Sequence, residues 1–260
     1  MGQYHMPVCV DTMEQINPHR FGDGLKLMEF GCSGSGTMAA VGLLLMGEGR
    51  WAGKRIVIVG DYAEADDVPG IPNVDRLYAS KADALEYPEH YPLPPSEYPD
   101  DISKEMWPLL VEHGYWDGIP TESKDHWFIS DAHSMKGDRP EPSGVEAFIA
   151  NLDKKEALSP ATFGDDPRWD SFIADYGGGV MTALAVLLAC SNGRGGGDAR
   201  ADLGDWAGRW AGDHIGILPY GGANADFDDI SRVVRDAMVA SDEGTYEDND
   251  DGTVTRTSRW

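Results

Sequence analysis

The chain has 260 residues with 21 basic against 45 acidic side chains, a formal net charge of −24 and a pI near 4.4. A hydrophobic content of 41% is enough for a sizeable core and excludes disorder for the bulk, while the scarcity of clustered Lys and Arg excludes direct nucleic-acid binding. Its longest apolar runs fall far short of the ~18 residues that cross a bilayer, so no membrane association is expected. Cys9, Cys32 and Cys190 have no CxxC or Cys/His spacing, which indicates neither a disulfide framework nor a structural zinc site and makes a reducing, cytoplasmic setting the expectation.

In chain order, residues 4–10 are expected as the first strand, and Leu27 and Phe30 as part of a short helix. Residues 36–46 are apolar on all sides, as suits a buried central helix. Residues 55–59 form an aliphatic, β-branched run followed by turn residues and predict a core strand. Residues 68–144 contain PGIPN, YPEHYPLPPSEYP and DRPEPSG, and read largely as loop or polyproline II. Asp165-Asp166-Pro167 has the form of a helix start, with Trp169, Phe172 and Ile173 at helical spacing. A second buried helix is expected over residues 179–190 and a second core strand over residues 214–218. A last amphipathic helix should be capped by Asp228 or Asp229, with Ile230, Val233, Val234 and Ala237 inward and Arg232 and Arg235 outward. The polar tail after Tyr246 is expected to fray, unless Val254 and Trp260 add it as an edge strand.

The strongest signal is self-similarity. Asp11, Glu14, Pro18, Phe21, Gly22 and Asp23 recur as Asp153, Glu156, Pro160, Phe163, Gly164 and Asp165, at a constant offset of 142. GTMAAVGLLL from Gly36 aligns with GVMTALAVLL from Gly179 at an offset of 143. RWAGKRIVIV from Arg50 aligns with RWAGDHIGIL from Arg209 at 159, and DDISKEMWPLLV from Asp100 with DDISRVVRDAMV from Asp228 at 128. Four collinear blocks predict an α/β or α+β fold made of two divergent copies of a β-α-α-β-α unit about a pseudo-twofold axis, a pseudo-dimer within one chain. The expected divisions are 1–116 for the first repeat, 117–148 for an irregular insertion, 149–246 for the second repeat and 247–260 for a polar tail.

MGQYHMPVCVD, GDGLKLMEFG and RWAGKRIVIVGDYAEADD together resemble a family of uncharacterised MGQY-type proteins of bacteria and their viruses, marked by a GLKLMEF-like helix and a WAGDYA-like strand end. The resemblance covers roughly residues 1–67, with the second half weaker. It implies a small α/β or α+β accessory protein of phage type and carries over no catalytic residues. In that family pattern a Gly-rich loop and the GDYA strand end sit in one copy; here GDYAEADD lies in the first half and NGRGGGD in the second.

These two loops supply the candidate site residues. Asp61, Tyr62 and Glu64 follow a core strand, where α/β sites commonly lie and where carboxylates can hold Mg²⁺ or exchange protons. Asn192, Arg194 and Asp198 belong to the Gly-rich loop, whose amides and guanidinium suit an anion, although the loop follows a helix C-terminus and matches no phosphate-binding signature. His126, Asp131 and His133 match no metal-ligand spacing, and the calcium-like EDNDDGT has Ser258 where a twelfth-position Glu is required. Gln3, Tyr4 and His5 are polar residues on an expected strand. The function expected is a non-enzymatic acidic accessory protein that binds a host protein with a basic surface, of DNA-mimic or inhibitor type. The alternative is a small-molecule or nucleotide module with a composite site between the repeats. No cofactor is indicated, and Mg²⁺ enters only with the alternative.

Overall fold

His5–Cys9 forms β1, and a tight turn with Met13 at φ 51° brings the chain back antiparallel as β2 (Glu14–Gln15). The aliphatic run predicted as a core strand is β3 (Lys54–Gly60), antiparallel to β1 with His5 opposite Gly60 and Cys9 opposite Ile56. The short β4 (Asp100–Asp101) lies parallel to β2 at the sheet edge. Four further strands continue the same sheet: β5 (Ala147–Asn151), β6 (Glu156–Leu158), β7 (Asp213–Pro219) and β8 (Asp228–Asp229). Their order is β4-β2-β1-β3-β7-β5-β6-β8, with β3 and β7 antiparallel at the centre and Arg55 opposite His214. This computed structural model describes residues 2–31, 35–116, 147–163, 179–195, 201–219, 226–241, 245–248 and 254–257. Among them the fold is mixed α/β, one eight-stranded mixed sheet with seven α-helices and a separate two-stranded sheet, and no helix is long and apolar enough to cross a membrane.

The helices are α1 (Leu27–Phe30), α2 (Gly36–Leu45), α3 (Lys81–Glu86), α4 (Ser103–Glu112), α5 (Pro160–Phe163), α6 (Val180–Leu188) and α7 (Ser231–Ser241). α2 starts at Ser35, whose hydroxyl accepts from Met38 N at 2.9 Å, while the Asp23 carboxylate takes the Thr37 amide at 2.8 Å. These contacts satisfy first-turn donors that water cannot reach. Apolar on nearly every face, α2 and α6 fill the core on one side of the sheet. Each runs beneath the central strand of the opposite half of the sheet: Met46 after α2 bridges Ile217 on β7, and Ala189 after α6 bridges Ile58 on β3. Strand alternation sends Cys9, Ile56 and Ile58 into this helical core and Met6, Val8, Val57 and Val59 to the other face. There they are covered by Val68, Ile71, Val74 and Leu77.

Several expectations need correction. Between the expected loops, residues 68–99 also hold a 3-10 turn (Val74–Leu77) and the short α3, and the helix expected from Asp100 is α4, preceded by β4. β5 begins at Ala147, inside the stretch assigned to the insertion. On α7, Val234 is buried, Ile230 and Ala237 pack on the core and Arg232 is exposed as expected, but Val233 is 52% exposed and Arg235 only 7% exposed, the reverse of the expectation at those two positions. The helix starts at Ser231, so Val234 and Met238 point inward, and the Arg235 guanidinium donates to the Thr162 carbonyl at 2.8 Å. The tail forms a hairpin of its own, β9 (Thr245–Asp248) with β10 (Val254–Thr257), instead of fraying or joining the main sheet. The helix expected from Asp165, the histidines of 126–133 and most of the insertion lie outside the described residues.

Candidate functional site

Three segments meet beyond the end of β3: the N-terminal residues before β1, the GDYAEADD turn, and the loop that leaves α6. They meet because α6 crosses to β3. Cys190 N donates to Ile58 O at 2.9 Å, which places residues 191–195 beside Gly60. A Cβ on Gly60 would displace the Gln3 amide and the Ser191 hydroxyl, so the close approach of the three segments relies on the glycine. Gln3 Nε2 donates to Ser191 Oγ at 2.5 Å, and Ser191 Oγ donates to the Cys190 carbonyl at 2.6 Å. The N-terminal segment is tied to the turn by two further bonds: Tyr4 N donates to Asp61 Oδ1 at 3.0 Å, and Asp61 N to the Tyr4 carbonyl at 2.9 Å.

Arg194 closes the outside of this corner. Its Nη1 and Nη2 donate to the two carboxylate oxygens of Asp67 at 2.7 and 2.6 Å, and Nη1 also reaches the Tyr62 carbonyl at 2.8 Å. Glu64 lies farther off, at 3.9 Å, and its backbone N–H donates to Asp67 Oδ2 at 2.8 Å. The hydrogen bonds it donates to Asp67 hold the Arg194 pKa above the ordinary guanidinium value. The structure therefore brings Tyr62, Glu64 and Arg194 together, with Asp61 and Asn192 on the same two segments. Asp198 lies outside the described residues. Of the residues expected to serve an anion and a cation, Arg194 directs its guanidinium fork at Asp67, and Asp61 accepts from the backbone N–H of Tyr4.

Inside the corner, polar groups are buried without partners. His5 is fully buried with neither ring nitrogen hydrogen-bonded, and desolvation pulls its pKa down to about 4, so the ring is neutral. Asn192 Oδ1 is likewise buried and unbonded. Burial pushes the Cys190 thiol up to about 11, which makes it a poor nucleophile. No group of three or more His, Cys, Asp or Glu able to hold a metal occurs among the described residues. Asp67, Gln3, Ser191 and His5 complete the corner. Gln3 and His5 stood out by their polarity on an expected strand, and Asp67 and Ser191 by belonging to the two polar loops, whereas their pairing has no local signal, because the partners lie 127 and 188 residues apart in the chain.

A second set of polar contacts joins the loops after α2 and α6 to the sheet. Glu14 accepts from Trp51 Nε1 at 2.9 Å and pairs with Arg50; Glu156 accepts from Trp210 Nε1 at 2.7 Å and pairs with Arg209. At the sheet centre Asp11 accepts the backbone and side chain of Arg55, and Asp153 those of His214. Burial alone would raise the pKa of Asp11, Asp153 and Glu156, yet the hydrogen bonds they accept outweigh it and leave all three below the ordinary carboxylate range. Set against protein-family models, curated proteins and solved structures, the chain matches none.

Proposed function

We propose that the protein is a non-catalytic accessory protein of the MGQY type, cytoplasmic, which binds a host protein through its acidic surface. The observation that carries this reading is the net charge of −24 together with the way the cations are spent. Arg50, Arg55, Lys81, Lys154, Arg194 and Arg209 each pair with a carboxylate, while Asp66, Asp75, Glu86 and Glu89 stand exposed. Such a surface attracts a basic partner and repels nucleic acid and its own copies. DNA mimicry is one form of this activity. Affinity capture from host lysate at graded salt tests it: a partner lost between low and molar salt is expected, and a monomeric elution with no salt-sensitive partner contradicts it.

The scaffold for this surface, in the same proposal, is a tandem duplication closed about a pseudo-twofold axis between Arg55 and His214. Supporting it, the pairings of the first four strands recur in the last four at the sequence offsets: Cys9 opposite Ile56 and Asn151 opposite Ile215, Cys9 opposite Glu14 and Asn151 opposite Glu156, Glu14 beside Asp100 and Glu156 beside Asp228. Left-handed backbone recurs at Met13 and Lys155, and the Met46–Ile217 bridge is answered by Ile58–Ala189. The Trp–Glu–Arg and Asp–Arg/His contacts recur likewise.

A second reading, a small-molecule or nucleotide module, draws support from the meeting of the two polar loops beyond β3 and from the unbonded ring nitrogens of His5 and Oδ1 of Asn192. The bidentate capture of Arg194 by Asp67 weighs against it. Thermal-shift screening of nucleotides with Mg²⁺ separates the two readings.

A further inference from the structure

Few large apolar side chains reach the surface, and two that do flank one carboxylate. Tyr4 is 42% exposed and Tyr62 37% exposed. Tyr62 follows Asp61 in the chain, and Tyr4 is bound to Asp61 twice through its backbone: its N–H donates to Asp61 Oδ1 at 3.0 Å, and its carbonyl accepts from Asp61 N at 2.9 Å. Asp61 itself is exposed, and among the described residues no bond engages its Oδ2 and no Lys, Arg or His pairs with it. Arg194 is spent on Asp67, and Lys81 on Asp100. The aromatic face continues towards α3. Burial pushes the Tyr78 phenol up, and Asp61, Tyr91, Asp83 and Tyr4 act on it in the same direction, so Tyr78 lies between the Tyr4–Asp61 pair and Tyr91.

Exposed rings beside an unneutralised carboxylate select among cations. A tyrosine face attracts positive charge through its ring quadrupole and offers a large contact area at little entropic cost. A guanidinium satisfies both features at once, because it is planar and weakly hydrated and can fork onto a carboxylate while it stacks on a ring; an ammonium is a compact, strongly hydrated charge that cannot stack. The reciprocal backbone bonds between Tyr4 and Asp61 hold this arrangement ready without a partner. We propose that Tyr4, Asp61 and Tyr62 form a docking patch for an arginine of a partner protein, the guanidinium pairing with the Asp61 carboxylate and lying against the tyrosine rings. The proposal rests on the acidic-surface reading and narrows it to one carboxylate and to arginine over lysine.

The test is calorimetric titration of the full chain with nona-arginine and nona-lysine peptides at about 0.15 M salt, where attraction beyond about 8 Å is screened. The native protein is compared with Tyr4→Ala/Tyr62→Ala, with Asp61→Asn, whose Oδ1 still accepts from Tyr4 N, and with Glu112→Gln, which removes the same charge from an exposed position on α4. Expected is tighter binding of the arginine peptide, a loss of about tenfold for that peptide in Asp61→Asn and in the tyrosine variant, and little change in Glu112→Gln. Should the tyrosine variant melt early, the two variants of equal net charge decide alone. Equal losses in Asp61→Asn and Glu112→Gln, equal affinity for the two peptides, or binding by a folded tyrosine variant that is indifferent to the lost rings overturns the proposal and leaves the acidic-surface reading intact. Binding of neither peptide, even at low salt, overturns both.

Discussion

An imidazole buried without a partner leaves a signature in the pH dependence of stability. His5 has a folded-state pKa of about 4 against 6.5 for the free side chain, so between these values the unfolded chain binds a proton that the folded protein refuses. Stability is therefore complete above pH 6.5 and falls as the pH is lowered towards 4. At 1.36 kcal/mol per pKa unit the loss is about 3 kcal/mol. His19, half-buried and shifted in the same direction, adds to the slope. The variant His5→Met removes the unpartnered nitrogens and fills the space with an adaptable apolar chain, so its stability should vary less over this window. Urea melts at pH 7 and pH 5 measure the difference; equal slopes in the two proteins contradict the assignment. Arg194 behaves otherwise. Its pair with Asp67 is bidentate but its side chain is 37% exposed, and exposed pairs contribute about 0–1 kcal/mol. Arg194→Met should leave the urea midpoint nearly unchanged, and a loss of several kcal/mol would show that the corner holds the fold together.

At the scale of elements, the loops after α2 and α6 are fastened by one carboxylate each. Glu156 is 7% exposed and accepts the buried Trp210 indole N–H. Glu156→Ala leaves that donor unsatisfied and Arg209 without its partner, a cost of about 2 kcal/mol or more by chemical denaturation. Glu14→Ala, which does the same to Trp51 and Arg50, should cost a similar amount; a large effect in one and none in the other would mean that the two loops are held differently. Elements with a long apolar or alternating pattern, namely α2, α6, β3 and β7, were legible in the sequence. The strands β2, β4, β6 and β8 were not, because two or three residues carry no periodicity and pair only where a neighbour offers its edge. On α7 only Val233 and Arg235 depart from the expected faces, because the Arg235 guanidinium finds the Thr162 carbonyl at 2.8 Å, a partner 73 residues away that helical spacing does not reveal. The corner beyond β3 was half legible: composition marked its two loops, but their meeting depends on α6 crossing under β3, a tertiary fact with no local signal.

The whole molecule carries a net charge of −24, and self-repulsion works against the compact state. Raising the ionic strength from about 0.01 to 0.15 M shortens the Debye length from about 30 to 8 Å, which should raise the melting temperature well before molar salt is reached. A flat response would mean that the carboxylates are already compensated. With α2 beneath β7, α6 beneath β3, and β3 hydrogen-bonded to β7, neither half of the sheet keeps its core if the other opens. Scanning calorimetry of the full chain tests this most directly. One transition with equal calorimetric and van't Hoff enthalpies is expected. Two resolved transitions, or a calorimetric enthalpy near twice the van't Hoff value, would show two independent units and contradict it.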